Sequence, residues 1–127
     1  MTVYEDAAIP VIILGQKYMV RLVPESADYR FKKHKCDGFC DFSTHEIIMW
    51  NMTQEDSDIG NLKASIHHTL YHELVHAFMY ESGLGSDWEH KEYGQEETTV
   101  DWIAWQAEKI VNAAREVFEQ FKERGDV

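Results

Sequence analysis

The segment Leu70–Phe78, which reads LYHELVHAF, decides how the rest of the chain is interpreted. It belongs to a stretch in which apolar residues recur every four positions, a pattern that predicts a helix over residues 62–81. On such a helix, His72 and His76 lie one turn apart on the same face, so both imidazoles can reach one ion. Glu73 lies about 100° further round the helix than His72. Its carboxylate can therefore touch a water on that ion without being a ligand.

The HExxH pattern combines two neutral imidazole ligands with one carboxylate base, as metal-assisted hydrolysis requires. Catalytic zinc sites have three protein ligands and a water, so one more ligand is needed. A second helix is predicted over residues 95–122, and Glu97 near its start follows His76 by 21 residues. Asp101 lies one turn later and can accept the second N–H of a ligating histidine. We therefore predict that Glu97 is the third ligand and that Asp101 orients a ligating imidazole.

The acidic start of the second helix allows other interpretations. Glu96 competes with Glu97 for the role of ligand, and we prefer Glu97 because Val100 and Ala104 flank it on the inward side. Both acids would also stabilise the N-terminus of a helix in the absence of any metal.

Residues around the motif are candidates for binding substrate or stabilising an oxyanion. His90 and Tyr93 lie in the predicted loop between the two helices, where side chains are often functional. His68 lies one turn before His72 and could shape the pocket. For His68 and its neighbour His67, the simpler interpretation is a surface histidine or a core histidine with satisfied hydrogen bonds.

Upstream of the predicted active helix, short apolar runs bounded by turn residues predict a small sheet. The first two runs, joined by Gly15-Gln16-Lys17, predict a β-hairpin, and Asp37-Gly38 is a turn signal before the third. Strands followed by two long helices indicate an α+β fold with a mostly antiparallel sheet of about three or four strands. A length of 127 residues fits one domain spanning residues 1–127. The predicted strands are Val11–Leu14, Tyr18–Val23, Phe39–Phe42 and Glu46–Asn51.

Composition narrows the class of protein. The formal net charge of −11 disfavours a nucleic-acid partner, and with it a zinc-dependent nuclease. Cys36 and Cys40 have no second cysteine pair to complete a zinc site, so reduced intracellular thiols are expected. No signal peptide and no run of about 20 apolar residues is visible. We expect a cytoplasmic protein without a membrane partner.

Two motifs together resemble the ImmA/IrrE family of metallopeptidases, in particular its small phage-encoded members. HELVHAF (His72–Phe78) is followed by E-x-x-x-D-W-I-A (Glu97–Ala104), and the resemblance covers about residues 38–110, including the strand pair before the active helix. Val100, Asp101 and Ile103 stand where the family often has Ala, Asn and Phe.

The resemblance implies a minimal zincin-like domain in which a Glu of the second motif completes the zinc site. It also implies a peptide substrate, extended along an edge strand before the active helix, and Ile47–Trp50 would be that edge. Better-known members of the family act on transcriptional repressors inside cells. This chain has no evident helix-turn-helix, so that biology is not expected to carry over.

The sequence therefore predicts a zinc metallopeptidase in which His72, His76 and Glu97 hold Zn²⁺ and Glu73 is the general base toward a metal-activated water. The residues themselves indicate only the activated water; the peptide substrate comes from the resemblance. An alternative of another class is a non-catalytic interaction protein stabilised by zinc, for example a phage protein that engages a host factor.

Overall fold

A β-hairpin begins the fold in the computed structural model, which describes residues 1–83 and 97–124. Strand β1 (Ala7–Ile13) pairs antiparallel with β2 (Gln16–Val23). Leu14 and Gly15 form the turn with φ of 48° and 88°, the positive values that a tight two-residue hairpin turn of the primed type requires. The predicted hairpin is confirmed, but Gln16 and Lys17 belong to β2 rather than to the turn.

In the described part of the chain, the sheet has four strands in the order β1-β2-β4-β3, where β3 is Gly38–Asp41 and β4 is Glu46–Trp50. Strands β3 and β4 pair antiparallel, whereas β2 and β4 pair parallel. The predicted mostly antiparallel sheet is therefore a mixed one. Ile47–Trp50, which was expected to form the sheet edge, belongs to β4. That expectation is wrong, because β4 pairs with β2 on one side and with β3 on the other, which leaves β3 at the edge.

The crossover from β2 to β3 contains a short helix, α1 (Arg30–His34), in a polar stretch that carries no clear sequence signal. The Arg30 guanidinium contacts Asp28 at 2.9 Å and Asp41 at 2.8 Å, which ties α1 to the end of β3. Hydrogen bonds from Ser43 and Arg30 lower the pKa of the Asp41 carboxyl to about 2. The crossover is thus anchored to the edge strand by a charged cluster.

The two predicted long helices are present as α2 (Leu62–Glu81) and α3 (Glu97–Gln120). Asn61 caps α2, because its side-chain oxygen accepts a hydrogen bond from the Ala64 amide at 3.0 Å. Gly83, with φ of 83°, follows the end of this helix, where glycine readily adopts a positive φ. The face of α2 that packs on the sheet carries the predicted apolar residues Ile66, Leu70, Leu74 and Phe78.

Helices α2 and α3 run antiparallel. Lys63 of α2 forms an ion pair with Glu123 just after α3, the His67 ring stacks on Phe118 at 3.9 Å, and the Trp102 indole donates to the Ser82 hydroxyl at 3.0 Å. The buried face of α3 packs against β1 and α2. No helix in the described ranges is long and apolar enough to cross a membrane.

The apolar spacing of α3 predicts a buried stripe that includes Ile103 and Val111 as well as Ile110, Ala114 and Val117. The last three are buried, but Ile103 is 52% exposed and Val111 39% exposed. Among the described elements, α3 packs mainly against β1 and α2. Apolar residues at the margin of its stripe stay in contact with solvent.

Candidate metal centre

Two imidazoles face each other on an exposed part of α2. The Nε2 atoms of His72 and His76 lie 3.2 Å apart, with ring planes at 72°. A tetrahedral zinc ion with nitrogen ligands at about 2.0–2.1 Å holds them about 3.3–3.4 Å apart. The pair therefore fits two ligands of one ion. The same separation lets one imidazole donate a hydrogen bond to the other when no ion is bound.

Glu73 lies beside the imidazole pair but is buried, with 6% of its surface exposed. Burial raises the pKa of its carboxyl group to about 7. A carboxyl group is seldom buried without a charged partner or a functional reason. The HExxH residues thus comprise two exposed imidazoles and one carboxyl group withdrawn from bulk water.

An open pocket of about 340 Å³ connects these three side chains with the edge strand. Its opposite wall is formed by the end of α1, by β3 and by the residue after β3, and most of that wall is apolar. The wall residues are His34, Cys36, Gly38, Phe39, Cys40 and Phe42.

Gly38 allows β3 to approach α2 closely. A Cβ atom at this position would lie 2.7 Å from the Thr69 methyl carbon, 3.3 Å from the Ile48 carbonyl oxygen and 3.6 Å from Cγ of Glu73. Only glycine therefore fits here without displacement of the strand or helix. The predicted turn at Asp37-Gly38 is wrong for Gly38, which is the first residue of β3 and forms part of the site.

Two cysteines missed as site residues line the same pocket. Cys36 and Cys40 are free thiols, and burial raises the pKa of the Cys40 thiol to about 12. Both thiols therefore behave as small apolar wall residues rather than as reactive groups. At the far end of the wall, Phe42 stacks on Tyr80 with ring centroids 4.4 Å apart.

The predicted third ligand is only partly described. Glu97 is the first residue of α3 and Asp101 lies one turn later, but their side chains lie outside the described part of the structure, as does the competitor Glu96. Across residues 1–83 and 97–124, no three described His, Cys, Asp or Glu side chains are grouped so that they could hold a metal. Glu97 as third ligand therefore stays a prediction.

The other predicted pocket residues have different outcomes. His90 and Tyr93 lie outside the described residues. His68 is exposed and its ring lies 6.4 Å from that of His72, but it is not part of the pocket wall. His68 lies one turn nearer the N-terminus of α2 than His72, and its suggested pocket role stays a prediction.

Comparison with protein-family models, with curated proteins and with solved structures gave no match for this chain. The resemblance to the ImmA/IrrE family therefore depends on the two motifs alone. The function has to be argued from the geometry of the site.

Proposed function

We propose that this protein is a zinc-dependent metallopeptidase. The observation that carries the proposal is the 3.2 Å separation of the His72 and His76 Nε2 atoms next to the buried carboxyl group of Glu73. The two imidazoles would hold the ion, with Glu97 as the predicted third ligand. Zinc bound there supplies the Lewis acidity that activates water and polarises a carbonyl group.

Glu73 is the residue that moves protons in this proposal. Its carboxylate accepts a proton from the attacking water and returns it to the nitrogen of the leaving amine. Its place is fixed by the helix, because the adjoining Leu74 is fully buried and a Cβ added at Gly38 of β3 would lie 3.6 Å from its Cγ atom. A base held by core packing stays aligned through the reaction without a large entropic cost.

The position of β3 favours an extended peptide as substrate. Within the described residues, β3 pairs only with β4, so its other edge is available to a further strand. A peptide bound there would form backbone hydrogen bonds along β3 and place its side chains against the apolar wall of the pocket. The strand that we propose for this role is therefore β3, in place of the Ile47–Trp50 strand suggested by the resemblance.

A purely structural zinc ion is disfavoured by the distribution of burial. His72 and His76 are exposed, whereas the core consists of apolar residues from the sheet, α2 and α3. Packing of the helices does not depend on either imidazole, so the fold has little need of a metal for its stability.

The metal part of the proposal is tested by equilibrium dialysis with zinc followed by metal analysis. We expect one zinc per chain, lost in His72→Ala and retained in His68→Ala, a matched control because His68 is an exposed imidazole on the same helix. Absence of stoichiometric zinc in the unchanged chain, or equal zinc loss in both variants, would contradict the site.

The catalytic part is tested with Glu73→Gln and a fluorescence-quenched library of random peptides. We expect the variant to retain zinc and to lose about 10²–10⁴-fold in hydrolysis rate, the usual contribution of a positioned general base. The matched control is Glu81→Gln, a second carboxylate on α2 that accepts a hydrogen bond from Tyr18 outside the pocket. Full activity of Glu73→Gln would sink the peptidase mechanism while leaving the metal site intact.

A further inference from the structure

A second pocket lies on the other side of α2. Lys63, His67 and Tyr71 follow one another at intervals of four residues and share a helix face. That face lies about 140–180° round the helix from the imidazole pair. The pocket has a volume of about 440 Å³ and is enclosed by α2, by the C-terminal half of α3 and by Tyr4. Its size falls in the range of small-molecule sites, roughly 300–1,000 Å³.

Aromatic rings form the floor and walls of this pocket. His67 stacks on Phe118 with centroids 3.9 Å apart, and Tyr71 meets the same Phe118 ring edge-on at 6.0 Å. The Tyr4 hydroxyl lies 2.7 Å from Nε2 of His67, so both polar groups are satisfied within the floor. Tyr71 and Val111 remain 38% and 39% exposed. The pocket therefore offers a rigid apolar surface that is suited to a flat ring.

The mouth of the pocket carries two cations and two anions. Lys63 and Glu123 form an ion pair with each other. Arg115 and Glu119 also line the mouth, and Arg115 forms no ion pair with any residue in the described ranges. An exposed ion pair contributes little by itself, so the Lys63 ammonium can be shared with a ligand at small cost.

The electrostatic effect of Lys63 reaches the pocket floor. The pKa of His67 is lowered by burial and then by Lys63. Burial raises the pKa of the Tyr4 hydroxyl. Lys63 lowers that pKa by more than Glu123 raises it. Burial therefore disfavours charge on either group, and Lys63 makes positive charge less favourable at the floor than negative charge, although the chain as a whole carries −11.

We propose that the pocket binds a small aromatic carboxylate, with its ring against Tyr71 and Phe118 and its carboxylate on Arg115. A guanidinium group offers paired N–H donors that match a carboxylate, and the aromatic walls offer stacking surfaces. This site is independent of the zinc proposal, because none of its residues lines the pocket of the candidate metal centre.

The test is a titration of the full chain with 2-naphthoate, followed by amide chemical shifts in NMR spectra. We expect saturable shifts at Tyr71, Val111 and Arg115, with the amides of His72 and His76 unchanged. Because both side chains are exposed, Arg115→Gln and Glu119→Gln form a matched pair that should fold. Arg115→Gln should weaken binding about tenfold or more, since it removes a charge-assisted hydrogen bond. Glu119→Gln should keep or raise the affinity, since it removes a repulsive anion.

A neutral ligand with the same ring, 2-naphthylmethanol, should bind more weakly than 2-naphthoate. The proposal is overturned if 2-naphthoate gives no saturable shifts at millimolar concentration. It is also overturned if the alcohol binds equally well, if Arg115→Gln leaves the affinity unchanged, or if Glu119→Gln lowers it. The last result would indicate a cationic ligand. Circular dichroism of both variants checks that a loss of binding does not come from unfolding.

Discussion

Opposite faces of α2 place histidines in two different environments. On one face, His67 has its Nε2 atom 2.7 Å from the Tyr4 hydroxyl and its ring on Phe118. On the other face, His72 and His76 contact each other through Nε2 atoms 3.2 Å apart and remain exposed. The first histidine is part of the packing. For the other two, we propose that the ring nitrogens bind an ion. The contacts that the ring nitrogen makes therefore distinguish these histidines better than the residue type does.

The largest effect that separates the two faces is expected for zinc affinity. His76→Ala should lower the zinc affinity more than about 100-fold. Loss of a residue that only hydrogen-bonds to a metal ligand already lowers metal affinity about 10–100-fold. The free energy of unfolding of the metal-free chain should change little, because this side chain is exposed. Isothermal titration with zinc and urea unfolding of the metal-free chain measure the two quantities.

His67→Ala is the matched change on the opposite face, and it should have the reverse outcome. Zinc affinity should be retained, while the free energy of unfolding falls by about 1–3 kcal/mol. The reason is that the hydroxyl of Tyr4, a residue only 3% exposed, loses its hydrogen-bond partner. If His76→Ala unfolds the metal-free chain, the imidazole pair is structural and the comparison fails. If the unchanged chain folds only when zinc is present, and His76→Ala stays unfolded with zinc, the zinc-stabilised alternative gains support.

The close approach of β3 to α2 predicts a smaller but well-defined effect on stability. Gly38→Ala should lower the free energy of unfolding by about 1–3 kcal/mol, the usual cost of overpacking, because the added methyl would meet that of Thr69 at 2.7 Å. Adding Thr69→Ser removes the opposing methyl group and should recover part of the loss. Gly60→Ala is the control, since nothing lies within 4 Å of its added Cβ. Equal stability of the Gly38 and Gly60 variants would show that the contact is loose.

Local sequence signals predicted the parts of the fold that depend on neighbouring residues. The hairpin follows from two apolar runs around Gly15, and α2 follows from its four-residue apolar spacing. The HExxH spacing likewise predicted that two imidazoles would meet on one helix face. Each of these features is determined within a few residues, where turn geometry and helical periodicity act.

Features that depend on distant pairing were missed. The parallel pairing of β2 with β4 spans the crossover through α1, and no local pattern distinguishes it from an antiparallel arrangement. That pairing makes β3 the edge strand, and it brings Cys36 and Cys40 into the wall of the site. Gly38 resembled an ordinary turn residue. Glycine is needed at this position because Thr69, which is distant in sequence, leaves no room for a side chain.

The smallest expected effect is on the stability of the fold at acidic pH, and it again involves His67. Burial, and then the positive charge of Lys63, lower the pKa of His67 below its ordinary value, which is about 6.5. The unfolded chain therefore binds this proton more readily than the folded one. The contribution of His67 to stability is complete above pH of about 6.5 and is lost as the pH falls through the lower folded-state pKa. An NMR titration of the His67 ring should give a midpoint below that of the same ring in the urea-unfolded chain. A midpoint at or above the unfolded value would mean that the ring is solvated, and the contrast between the two faces of α2 would then lose its physical basis.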